Sequence, residues 1–91
     1  MDEEVVKLVI YYVLAVYDEK EQNIKKCYEV VNEWCNILIN DGIGRLDNLM
    51  ESFSNTHQVY TIYNELKPNN IDLLEIFKLV KWIFSETQIK I

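Results

Sequence analysis

Ninety-one residues, 49% of them apolar and 12% aromatic, make one domain at most, with a core large enough to fold without disulfides and a composition that excludes a disordered tail. A formal charge of −6 argues against a nucleic-acid backbone or an anionic lipid surface as the main ligand; it is compatible with a basic protein partner, and equally with a charge that only keeps an apolar-rich chain soluble. With one proline and two glycines, long loops and β-turns are scarce, which favours helices.

The first segment, Asp2 to Glu19, opens with Asp2, Glu3 and Glu4, which suit the positive end of a helix macrodipole. Val5, Val6, Leu8, Val9, Ile10, Val13, Leu14 and Val16 then leave almost no polar face. The β-branched residues would tolerate a strand, but the length of the run and its lack of turn residues predict a helix. Lys7, Tyr11, Leu14 and Asp18 form its least apolar stripe. A helix this apolar either lies at the centre of a bundle or is half-covered by another subunit. The opening "MDEE" lacks the positive region of a signal peptide, and the apolar run from Leu8 to Tyr17 is too short to span a bilayer. The expected location is the cytoplasm, with no membrane partner.

Gln22 to Asn40 carries the clearest helical period: Ile24, Cys27, Tyr28, Val31, Trp34, Cys35 and Leu38 on one side, with Lys25, Glu29, Asn32, Glu33 and Asn36 opposite. Val30 and Ile37 add a secondary apolar edge that needs a neighbouring helix or a partner. Cys27 and Cys35, eight residues apart on this helix, have Cα atoms ~12 Å apart. That is too far for a disulfide, so both are read as core thiols.

Asn40-Asp41-Gly42 reads as a helix stop. Leu46, Leu49, Met50 and Phe53 define a short third helix; Ser54, Asn55 and Thr56 supply cap residues for a fourth, with Val59, Ile62, Tyr63 and Leu66 on its apolar side. Lys67-Pro68-Asn69-Asn70 breaks the chain again. Asn69 or Asn70 would cap a fifth helix whose core stripe is Leu73, Ile76, Phe77, Val80, Ile83 and Phe84, leaving Leu74 and Trp82 off it.

The reactive groups form no familiar centre. Gly42-Ile43-Gly44-Arg45 has two glycines and an arginine but neither a preceding strand nor a Gly-Lys-Ser/Thr, so it reads as a corner and not as a phosphate loop. His57, the lone histidine, falls in the first turn of the fourth helix without a catalytic or zinc-binding companion. Glu29 and Glu33 share a polar face and lack the Glu-x-x-His companion of di-iron bundles. No catalytic residue, metal or cofactor is assigned.

The aromatic set carries more. Tyr11, Tyr12, Tyr17, Tyr28, Tyr60, Tyr63, Trp34 and Trp82 exceed what a small core can bury with every hydroxyl and indole N–H satisfied. Some belong at the surface, where Tyr and Trp either anchor interfaces or wrap the edge of the core with their polar ends in water. The candidate partner-binding residues are Tyr11, with Lys7, Leu14 and Asp18 on its stripe, and Trp82, offset on helix five.

The run "WCNILINDGIGRLDNL", Trp34 to Leu49, resembles the middle of a death-effector domain, in which a helix ends near a polar or glycine turn and "DNL" opens the next. The likeness covers a minority of the chain. "SNTHQVYTIY" does not carry the Arg-x-Asp-Leu segment that should follow, and too few residues precede Trp34 for the usual three helices. What the resemblance implies is homotypic helical-bundle contact in a signalling assembly.

The expected architecture is therefore all-α: a single bundle of about five helices over residues 1–91, two long at the N-terminus, two short in the middle and one long at the end, with helix one or five central. The apolar excess points to a homodimer. The expected function is a small acidic non-enzymatic protein that binds and neutralises a basic protein by occlusion, in the manner of immunity proteins, antitoxins and phage or viral anti-defence proteins. Separately, frequent Ile, Asn, Lys and Tyr suggest an AT-rich coding genome, such as that of a low-GC bacterium, a phage or a virus. The alternatives are an adaptor or oligomerisation module and a small-ligand-binding bundle.

Overall fold

The computed structural model describes residues 2–53, 57–68 and 70–90, the last stretch with side chains for 72–87. These residues form five helices: α1 Glu3–Glu19, α2 Ile24–Asn40, α3 Ile43–Glu51, α4 Gln58–Leu66 and α5 Asn70–Lys90. The all-α fold, the number of helices and the order of long and short elements are those read from the periodicity. No helix among the described residues is long and apolar enough to cross a membrane.

The ends of the first two helices are set by side-chain caps and a strained turn. Asp2 caps α1, its carboxylate accepting the Glu4 N–H at 3.0 Å, and Asn23 caps α2 by accepting the Lys26 N–H at 3.0 Å. Between them α1 closes in a Schellman motif: the Gln22 N–H reaches back to the Tyr17 carbonyl (3.0 Å) and the Glu21 N–H to that of Asp18 (3.3 Å). Glu21 and Gln22 take φ of 58° and 57°, left-handed values that glycine would adopt with less strain. At the other corner Gly42 has φ 87° and open space around its missing Cβ, so backbone conformation, and not crowding, calls for glycine there.

Two packings hold the bundle together: α2 against α5, and α1 against α4, with α3 bridging α2 and α4. Their centre is aromatic. Tyr12 stacks on Phe77 (ring centroids 5.7 Å apart) and meets the edge of Trp34 at 6.0 Å, and Trp34 in turn touches Phe77 and Phe53. Cys27, Val31, Leu46, Met50, Val59, Tyr63, Leu73 and Val80 fill the space around this cluster. Val30 and Ile37, the secondary edge of α2, are half-buried against the same core.

α4 receives its N-terminal cap from α1. The Glu19 carboxylate accepts the Val59 N–H at 3.4 Å and lies 3.4 Å from His57 Nδ1. His57 is the N-cap residue of α4, one position ahead of the first helical turn in which the sequence placed it. The expected caps Ser54, Asn55, Thr56 and Asn69 lie outside the described residues; Asn70 is the first residue of α5, not its cap. Neither α1 nor α5 is enclosed, contrary to the expectation that one would be central: in a bundle this small every helix keeps an outward side, and α1 exposes Ile10 and Leu14 while α5 exposes Trp82.

Candidate functional site

Six large apolar residues among those described are exposed, and four of them lie on α1: Val6 (41%), Ile10 (50%), Tyr11 (55%) and Leu14 (57%). Val6, Ile10 and Leu14 follow each other at i, i+4 and i+8, one straight stripe, with Tyr11 beside it. α1 buries Val9, Tyr12, Ala15 and Val16 on its opposite side. Lys7 and Asp18 are exposed next to the stripe, so the four α1 residues singled out in the sequence do share an outward face. Val6 and Ile10 belong to that face as well. Periodicity could not reveal this, because it shows that a side is apolar and not whether a neighbour covers it.

Trp82 is exposed (60%) and lies about 180° around α5 from the buried Leu73. Glu75 and Trp82, seven residues apart, share that outer side. Glu75 also belongs to a groove that the sequence did not reveal.

The groove opens where the start of α1, the end of α4 and the start of α5 meet, with a volume of about 400 Å³. Val5, Leu8, Leu66 and Ile76 form its floor, with Leu66 and Ile76 belonging to the core. Its rim is Asp2, Glu65, Asp72 and Glu75, all exposed, and no Lys, Arg or His among the described residues lines it. Four carboxylates around one opening give a negative potential over an apolar floor. They do not converge on a point: among the described residues no group of three or more His, Cys, Asp or Glu side chains is placed to hold a metal ion. The arrangement suits an elongated organic cation, with an apolar stem for the floor and a charged end for the rim.

The groups of chemical interest are held apart from this groove. Cys27 and Cys35 are both free and buried. Burial pushes both thiols above their ordinary pKa, which makes them poor nucleophiles. The Cys27 S–H donates to the Val16 carbonyl at 3.5 Å. His57 is half-exposed and has Glu19 as its charged neighbour. Glu29, Glu33, Gly44 and Arg45 are exposed on α2 and α3. Two buried polar atoms have no hydrogen-bond partner among the described residues, the Tyr12 hydroxyl and Glu19 Oε2. Tyr63 is also buried, and its hydroxyl donates to Asp47 at 2.8 Å, where Lys67 lies 3.7 Å from the same oxygen.

Comparison with protein-family models, with curated proteins and with solved structures finds no match to this chain.

Proposed function

We propose that this chain is a small acidic binding protein that attaches to a basic protein and neutralises it by covering its functional surface. The observation that carries the reading is the groove: an apolar floor, a rim of four carboxylates and, among the described residues, no lining cation. A lysine or arginine side chain on the partner meets both parts at once, its methylenes on Leu8 and Ile76 and its charge among Asp2, Glu65, Asp72 and Glu75. Trp82, two helical turns along α5 from Glu75, supplies a large apolar anchor on the same side of the helix. The excess negative charge of the chain speeds encounter with a basic partner, and the apolar contacts then slow release.

Selection of displayed peptides on the immobilised chain tests this. The expected winners carry Lys or Arg beside an apolar residue. Their association should slow as salt is raised, and the double variant Asp72→Asn/Glu75→Gln should lose most of their affinity. Selection of acidic or uncharged peptides would contradict the reading. Free diamines or guanidinium compounds binding as tightly as the peptides would make the groove a small-ligand site instead.

A further inference from the structure

We infer that the open face of α1 is covered by a second copy of this chain, packed antiparallel across a two-fold axis. This face is separate from the groove and is the opposite kind of surface. Ile10, Leu14, Val6 and Tyr11 give it its apolar area, and its exposed charges are of both signs: Lys7 in the middle of the stripe, with Glu3, Glu4 and Asp18 towards its two ends. A strongly basic partner meets Lys7 in the middle of the apolar stripe, with the carboxylates only towards the ends. An anionic membrane finds a single cation, Lys7, on a helix that begins with Asp2, Glu3 and Glu4.

A second copy does find complementarity. A two-fold axis level with residues 12 and 13 sets Lys7 of one copy opposite Asp18 of the other, and Tyr11 opposite Leu14. Each pairing occurs twice, because a two-fold interface repeats every contact. Ile10 then lies one residue step, about 1.5 Å along the helix, from Leu14 of the second copy. Parallel packing would bring Lys7 against Lys7 and Asp18 against Asp18, so charge selects the antiparallel arrangement. One helix face is small beside a standard interface of about 800 Å² per partner. The dimer is therefore reversible, with a dissociation constant on the order of 10 µM or weaker.

Analytical ultracentrifugation from about 1 µM to about 1 mM protein reads this directly. The expected result is a monomer–dimer equilibrium that Leu14→Glu abolishes. Lys7→Glu alone and Asp18→Lys alone should each weaken it about 10-fold, since each turns two attractions into two repulsions. Mixing these two single variants should restore dimers, as heterodimers. The carboxylate introduced in one chain then faces the ammonium introduced in the other, and the native Lys7 and Asp18 that remain face each other. All three positions are exposed, and unchanged circular dichroism will confirm that the variants fold. A monomer throughout the range overturns the inference. So does a dimer indifferent to Leu14→Glu, which would use another face, and so does loss with Leu14→Glu without recovery on mixing, which would exclude this register.

Discussion

Tyr12 is the most informative residue to change. Its ring is fully buried between Trp34 and Phe77, while its hydroxyl has no hydrogen-bond partner among the described residues. Burial pushes its phenol pKa well up, and nearby Tyr63, Glu19 and Cys35 add to the effect. Tyr12→Phe keeps the ring contacts and removes a polar atom that gave up water without replacement. An unsatisfied buried hydroxyl costs about 1–3 kcal/mol, so the variant should gain about 1 kcal/mol after allowing for partial relaxation. In a domain of this size that raises the melting temperature by about 4–8 °C. Tyr63→Phe is the internal control: it removes a 2.8 Å hydrogen bond to Asp47 and should lose about 1 kcal/mol. Thermal and urea unfolding of the two variants measure both signs. Equal losses in both would refute the reasoning and mean that the Tyr12 hydroxyl has a partner, with the orphaned Glu19 Oε2 the first to examine.

Other consequences concern pH, turns, caps and the exposed indole. Tyr12, Tyr63, Cys27 and Cys35 all have pKa values raised by burial, so the folded state holds their protons when the unfolded chain has released them. The stability they contribute is complete below about pH 8 and falls as pH climbs past 9 and 10, by about 1.4 kcal/mol per pH unit for each group ionised only in the unfolded state; a urea midpoint flat to about pH 11 would contradict this. Glu21→Gly relieves a side chain held at φ 58° in the turn after α1 and should raise stability by about 0.5–1 kcal/mol. Glu19→Ala removes the cap that α1 lends to α4 and should cost about 1 kcal/mol, seen first as faster amide exchange at Val59. Trp82→Ala should leave the melting temperature within about 2 °C while weakening binding of the basic peptides; a large thermal loss would mean that the indole packs.

Much of the fold is legible in the sequence because hydrophobic spacing is a local signal. Cys27, Val31, Trp34, Cys35 and Leu38 announce both a helix and its buried side, and Gly42 announces where it ends. The turn after α1 is harder to read. It uses Glu21 and Gln22 where glycine is usual, so no residue type marks it, and the periodicity starts the second helix two residues early. The surplus of aromatics implies that some lie outside, and Tyr11 and Trp82 are indeed exposed. The core, however, accepts Tyr12 at the expense of an unsatisfied hydroxyl, a choice that composition cannot anticipate. The groove is beyond sequence reasoning altogether: Asp2, Glu65, Asp72 and Glu75 meet only because the start of α1 lies beside the junction of α4 and α5.

The acid-rimmed groove is proposed above all to receive a cationic side chain of another protein. Titration of isotopically labelled protein with a short peptide of alternating lysine and leucine, followed by NMR, tests this most directly. Saturable shifts should concentrate at Val5, Leu8, Leu66 and Ile76 and disappear in the Asp72→Asn/Glu75→Gln variant. Shifts spread evenly over the acidic surface, or undiminished in that variant, would contradict it.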